Sequence, residues 1–332
     1  MNMEFDASFV LPDGTLDERL LLDREPLYTG MNGKTVERIK LISKGLERSY
    51  IFKPLTNAET LGREPWLYRH LLPRLAPSVR YPALLAHATH EEPASYWQLF
   101  EDVGRLEHDG SEEALLQAAP AIAEWHRLPL EAVPVHYAGH KPSVAAVVDT
   151  VLRLEEKLRR VLSGCAEGGC ERGFESFMAA VRDQGNRLIR EIVVSHGDFH
   201  QGNYALAPET GELIVLDWEH AHRNSAYWDL YHLIDMTHPL YRKTMTPGLR
   251  SRAILAYVKA REAYGWRGHS GDFLRRYHLF AAVFSAWMLL LIEGDIERGG
   301  VGGWDLNQLK AQREETCVSY WGNVKEYLGL SI

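Results

Sequence analysis

Residues 196–203 read His-Gly-Asp-Phe-His-Gln-Gly-Asn, and Leu216-Asp217-Trp218-Glu219 follows a short way on. Two acids and one amide therefore arrive in a fixed order: Asp198, then Asn203 five residues later, then Asp217 at the end of an apolar run. A loop carboxylate can orient and deprotonate a hydroxyl, and an amide oxygen with a second carboxylate are hard donors of the kind Mg²⁺ takes alongside water. Phosphoryl transfer asks for that combination, because a base must hold the nucleophile in line while metal neutralises the oxygens of the departing group. A metal-dependent hydrolase built on His196, Asp198, His200 and Asp217 is the competing reading of the same residues.

The flanking sequence supplies elements to position these groups. Ile192-Val193-Val194 is a β-branched run ending at the motif, and Leu213-Ile214-Val215-Leu216 is another ending at Asp217. Pro208-Glu209-Thr210-Gly211 between them is turn chemistry. Two strands joined this way would gather Asp198, Asn203 and Asp217 around one small space.

His-Gly-Asp-x-His-x-x-Asn followed by Asp-Trp-Glu at a strand end resembles the aminoglycoside phosphotransferase and choline kinase superfamily, most strongly over residues 192–232. The resemblance implies an α+β, bilobal, protein-kinase-like fold. A small β-rich N-terminal lobe would span 1–103, with a hinge near 98–104. A larger, mainly helical C-terminal lobe would span 104–332 and carry the loop 196–203, Asp217 and the acceptor-binding helices. It implies that Asp198 is the catalytic base, that Asn203 and Asp217 are the metal ligands, and that Asp229, within Ala226-Tyr227-Trp228-Asp229-Leu230, braces the loop which His196 and His200 help to shape. The implied reaction moves a phosphate from ATP or GTP, with Mg²⁺, to the hydroxyl of a small molecule. An aminoglycoside or similar antibiotic, with the resistance that would follow, is the first acceptor expected; a choline-like or sugar metabolite is the alternative. A nonenzymatic spore-coat or scaffold protein retaining the fold is the reading from a different class.

A lobe of this kind must cover the phosphates and supply a lysine with an acidic partner. Gly30-Met31-Asn32-Gly33-Lys34 is a turn rich enough in glycine for backbone to approach phosphate at Gly30 and Gly33, although an ordinary hairpin would look the same. Ser49-Tyr50-Ile51-Phe52-Lys53-Pro54 embeds one lysine in an apolar strand, and lysine is seldom buried without a partner. Lys53 is the expected phosphate contact. Its partner is expected at Glu64, which resembles the family's Arg-Glu helix, with Glu59 as the other candidate because Pro65 constrains the residue before it. Tyr96 to Gly104 looks like the hinge, where the backbone of Phe100 to Asp102 would meet the adenine edge.

Aromatic faces beside carboxylates suit an ammonium ligand, and Trp218, Glu219, Trp287 and Glu293 are the acceptor candidates on that ground. Helical stripes at Leu115, Leu116, Ala119, Ile122 and Ala123, at Val144, Val147, Val148, Val151, Leu158 and Leu162, and from Phe174 to Val181 read as packing faces. Residues 164–172 between them read as a mobile turn. Gly197 stands where protein kinases carry an arginine that senses phosphorylation, and Trp-Glu follows Asp217 in place of Phe-Gly, so neither a phosphorylation switch nor a protein substrate is expected.

At 332 residues with 45% apolar content the chain can bury two unequal cores, and a net charge of −8 argues against nucleic acid while permitting a cationic acceptor. The apolar run from Leu279 to Ile292 falls short of the roughly eighteen residues of a membrane span and reads as a core helix. Cys165, Cys170 and Cys317 suggest neither a disulfide framework nor a zinc site, and a cytoplasmic, reduced setting is expected, with no membrane partner.

Overall fold

Alternation with period two builds the first half of the chain. In Thr35–Ser43 the residues Glu37, Ile39 and Leu41 point inward, and in Leu46–Pro54 Tyr50 and Phe52 do the same. The computed structural model describes residues 5–30, 33–55, 57–89, 92–108, 110–165, 171–300 and 304–329. Its strands β1 (Leu21–Thr29), β2 (Thr35–Ser43), β3 (Leu46–Pro54), β4 (Leu84–His87) and β5 (Trp97–Glu101) form one antiparallel sheet in the order β1-β2-β3-β5-β4. Lys44 and Gly45, both at positive φ, close the tight β2–β3 hairpin, the geometry that matches strand twist. Helix α1 (Arg63–His70) precedes β4. Ile39, Leu41, Tyr50, Phe52, Trp97 and Leu99 make the sheet's core, covered by Phe9 and Leu16. Burying each such side chain contributes roughly 1.5–3 kcal/mol.

The remainder is mainly helical: α2 (Glu112–His126), α3 (Val144–Arg153), α4 (Glu155–Ser163) and α5 (Glu171–Gln184) lead to the short strands β6 (Ile192–Ser195), β7 (Tyr204–Leu206), β8 (Leu213–Val215) and β9 (His222–Ser225). Helices α6 (Trp228–Ile234), α7 (Pro247–Ala263), α8 (Ser270–Glu297) and α9 (Leu306–Leu328) follow. The stripe expected from Val144 to Leu162 is two helices, broken at Leu154. Helix α8 is long and apolar enough to cross a membrane by length and composition, yet 72% of its apolar stretch is buried and it packs along α9. Arg250 of α7 donates to Asp235 at 2.8 Å, and Tyr277 of α8 and Ser319 of α9 donate to the same carboxylate at 2.6 and 2.9 Å, so one buried acid ties three helices.

Contacts divide the chain into two compact units, residues 1–107 with 206–219, and residues 108–205 with 220–332. The single boundary read from sequence at 103–104 assigned Asp217 to the helical part. Within the first unit, however, Ile214 bridges Arg80 in parallel, and Val215 N–H donates to the Arg80 carbonyl at 2.9 Å, which draws Asp217 in with it. Strand β6 takes β9 as its antiparallel partner, with Ser195 opposite His222. The cysteine reading also needs correction: Cys165, just past α4, and Cys317 in α9 are joined by a disulfide across 152 residues, a separation at which sequence carries no pairing signal. Cys170, and with it the centre of the turn expected to be mobile, lies outside the described residues.

Candidate active site

In the first unit alternation along β3 puts Lys53 on the face opposite Tyr50 and Phe52, and its ammonium is held by acids from α1 and from the segment after β8. Nζ donates to Glu64 Oε2 at 2.8 Å and to Asp217 Oδ1 at 2.6 Å, and Glu219 Oε2 lies 3.5 Å away. Glu64 occupies the first turn of α1, where the helix N-terminus favours an acid and where Pro65 forfeits no intrahelical hydrogen bond. Glu59, the other candidate, sits instead in the short turn Ala58–Thr60, where its N–H donates to the Asn57 side chain at 3.0 Å. Asp217 follows β8 with φ of 56°, a left-handed conformation rare outside glycine and associated with functional strain.

Three carboxylates surround this one ammonium. Burial pushes the Glu64 carboxyl up to about 7, against the pull of Lys53 and reinforced by Asp217 and Glu219. Burial would lower Lys53, but the same three acids hold its ammonium well above the usual lysine range. Oxygens of Glu64, Asp217 and Glu219 lie within 4.8 Å of one another, and this hard, anionic donor set fits a divalent cation such as Mg²⁺.

Among the other first-unit candidates, Gly30 and Gly33 are placed differently from expectation. Gly30 N–H donates to the Lys34 carbonyl and Gly33 N–H to the Gly30 carbonyl, both at 2.9 Å, so these amides close the hairpin and are not presented to a phosphate. Met31 and Asn32 lie outside the described residues. Phe100 sits inside β5, paired with Ile51 of β3 and Leu84 of β4. The Asp102 carboxylate accepts from Arg38 at 2.8 Å, Ser49 at 2.5 Å and Gly104 N–H at 3.0 Å, which marks it as an anchor for the chain leaving β5. Trp218 is fully buried and offers no ring face to a ligand, while Glu219 is drawn to Lys53. On α8, Trp287 packs against Phe284 and Glu293 accepts from Arg313 at 3.3 Å.

In the second unit the loop after β6 is organised by Asp229 at the start of α6. Its two oxygens accept from Ser195 Oγ at 2.7 Å, His196 N–H at 2.9 Å, Gly197 N–H at 3.1 Å and Trp125 Nε1 at 2.8 Å, with His126 Nε2 at 3.1 Å. Burial alone would raise this carboxyl, but His126 and the other donors hold it far below the ordinary range. Gly197 has φ of 88°, and a Cβ there would fall onto the His220 carbonyl, which is the physical reason glycine separates His196 from Asp198. Gly197→Ala is expected to cost about 1–3 kcal/mol in backbone strain alone, before the clash is relieved, and thermal unfolding should show it.

Asn203 Nδ2 donates to the Asp198 carbonyl at 2.8 Å, which leaves Oδ1 as the donor a cation could use. His200 Nδ1 accepts from Gly202 N–H at 2.9 Å, and its Nε2 stands 3.5 Å from Asp198 Oδ2. Reasoning from sequence missed the nearest partner of Asp198: Lys141 Nζ donates to Oδ1 at 2.6 Å from a loop 57 residues upstream. That loop is tied to β9, where Arg223 donates to the Val133 carbonyl at 2.9 Å and Gly139 packs against the His222 ring. His140 and His232 lie 3.9 and 3.8 Å from the same carboxylate oxygen. Burial would raise Asp198, but Lys141 and His200 hold it well below the usual carboxylate range, so it is ionised at neutral pH. The Gly-His-Lys-Pro-Ser stretch carrying Lys141 reads as an ordinary turn before a serine cap, and only its basic pair hinted at more.

Comparison with known proteins places these residues in context. Residues 44–271 match the profile of the phosphotransferase enzyme family. No curated protein matches the chain. A Ralstonia eutropha JMP134 protein assigned as an aminoglycoside phosphotransferase is 16% identical with a TM-score of 0.59, over 92% of this chain and 93% of its own. Plasmodium vivax ethanolamine kinase is 13% identical with a TM-score of 0.53, over 89% and 81%. A type I macrolide 2'-phosphotransferase is 14% identical with a TM-score of 0.51, over 90% and 91%. At such identities the likeness is one of fold.

Proposed function

The chain belongs to the phosphotransferase enzyme family, whose members are small-molecule kinases, and we propose that it moves the γ-phosphate of ATP, or of GTP in its place, to a hydroxyl of a small molecule. The observation that carries this reading is the buried Lys53 ammonium bonded at once to Glu64 and Asp217, 11 and 164 residues away in sequence. Such a lysine is charged and held in place before any ligand arrives.

Lys53 would contact the nucleotide phosphates, with Glu64 keeping its ammonium aimed. Asp217, with the Glu219 carboxylate beside it, would hold Mg²⁺, and Asn203 is the further metal ligand that the family resemblance implies. When bound, the metal neutralises phosphate oxygens and holds the triphosphate. Asp198, ionised, would accept a hydrogen bond from the acceptor hydroxyl and take its proton as the new bond forms. Asp229 holds the backbone from Ser195 to Gly197, so the carboxylate that follows is presented from a rigid support.

Fold alone does not choose the acceptor. A coupled nucleoside-diphosphate assay over amino-sugar, choline-like and sugar alcohols, with resistance testing for aminoglycosides, distinguishes the candidates. In the same protein, Asp217→Ala is expected to weaken MgATP binding by at least about tenfold, since it removes both a metal donor and a partner of Lys53. Unchanged MgATP affinity in that variant would overturn the assignment of Asp217.

A further inference from the structure

The surroundings of Asp198 within the second unit bear on the acceptor. Lys141 Nζ lies 2.6 Å from Asp198 Oδ1, and both side chains are only 14% exposed, so the ammonium is a fixed part of the place where the hydroxyl must bind. It compensates the Asp198 negative charge that would otherwise attract a cationic acceptor. An acceptor ammonium a few ångströms from that hydroxyl would meet a like charge in a poorly solvated setting.

A second, independent feature points to a hydrogen-bond donor as ligand. His232 is fully buried; its Nδ1 donates to the Trp228 carbonyl at 2.8 Å, so Nε2 carries the lone pair. Nε2 has no hydrogen-bond partner and stands 3.8 Å from Asp198 Oδ1. Burial, together with Lys141, keeps this imidazole well below its ordinary range and therefore neutral. Two acceptors side by side, one a carboxylate and one an imidazole nitrogen, match neighbouring hydroxyl groups on one molecule.

Aromatic faces stand nearby. The His200 and His238 rings stack at 5.1 Å, and Tyr241 lies 5.0 Å from His238. Burial pushes His238 down to about 4, with His200 adding to the effect, so the His238 ring is uncharged at neutral pH and its face suits the C–H surface of a sugar ring.

Resting on the kinase reading above, we propose that Lys141 and His232 make the acceptor an uncharged polyhydroxyl compound, a sugar or sugar alcohol with adjacent hydroxyls, and select against ammonium acceptors. Lys141 acts here as a specificity-determining residue, a role the sequence expectation of a cationic acceptor did not include.

The test compares matched acceptors with MgATP and the full chain: a hexose against its 2-amino-2-deoxy analogue, and a sugar alcohol against the corresponding amino alcohol. For the wild type kcat/KM should favour the uncharged member by at least about tenfold, the scale of one like-charge contact in a partly buried site. Lys141→Gln should shrink that ratio severalfold by releasing the ammonium members, whereas Lys141→Arg, which keeps the charge, should retain it. His232→Phe should raise KM for adjacent-diol acceptors more than for mono-hydroxyl ones. Preference for the ammonium members in the wild type, or an unchanged ratio in Lys141→Gln, would overturn the proposal while leaving a working kinase. Failure of the wild type to bind MgATP in a thermal-shift titration would remove the kinase reading, and this inference with it.

Discussion

Asp198→Asn is expected to bind MgATP with near wild-type affinity and to lose about a hundredfold or more in kcat, the usual scale for a positioned base. The substitution keeps the size of the side chain and can still meet Lys141 through its amide oxygen, so the loop should hold its shape. What disappears is the charge that draws the acceptor proton. The proposed phosphate-holding set of Lys53 with Glu64, Asp217 and Glu219 lies in the first unit and Asp198 in the second, and Asn203, the other proposed metal ligand, bonds the Asp198 backbone carbonyl, which the substitution keeps, so separable effects are the expected result. Steady-state kinetics and nucleotide titration on one preparation decide the matter. Parallel loss of nucleotide affinity and turnover would mean that Asp198 also serves the nucleotide, and the division of labour proposed for the two sets would fall.

Asp229→Ala should be the most damaging single change to stability. Its carboxylate is fully buried and receives five side-chain or backbone groups, from Ser195, His196, Gly197, Trp125 and His126. Removing it strands those groups away from water and frees the backbone on which Asp198 stands. A loss of about 3–5 kcal/mol is expected, as for breaking one partner out of a buried charged network, and urea denaturation measures it. The pH dependence has a definite sign. The native carboxyl titrates below its ordinary value, so its contribution is fully present above the ordinary carboxylate range and is lost as pH falls through the depressed native value. The variant should therefore show a flatter acid limb of stability than the wild type. A loss under about 1 kcal/mol would show that water or rearrangement satisfies the stranded donors.

Much of the chemistry was legible because it is local. Asp198 and Asn203 are five residues apart and bonded to each other through one turn, so their relation depends on short-range geometry that the order of residues encodes. The β-branched runs before Asp198 and Asp217, the lysine in an apolar strand and the acid opening a helix are likewise local choices of side chain, and each of these residues stands in the element its sequence suggested. Glu64 was preferred to Glu59 on a resemblance alone; the bond to Lys53 at 2.8 Å gives that preference a physical basis.

By itself, then, the order of residues set the strands and the helix start on which the candidate phosphate and proton groups stand, because backbone propensity and alternation act over a few residues. Tertiary structure alone decided that Lys141 and His232 stand against Asp198, that Glu219 lies 3.5 Å from the Lys53 ammonium, that Gly30 and Gly33 use their amides within a hairpin, and that Cys165 meets Cys317. These depend on which elements pack together across tens to hundreds of residues. Such pairings are fixed by burial of whole faces, whose fit depends on the entire chain, and no short stretch of sequence carries a mark of its distant partner.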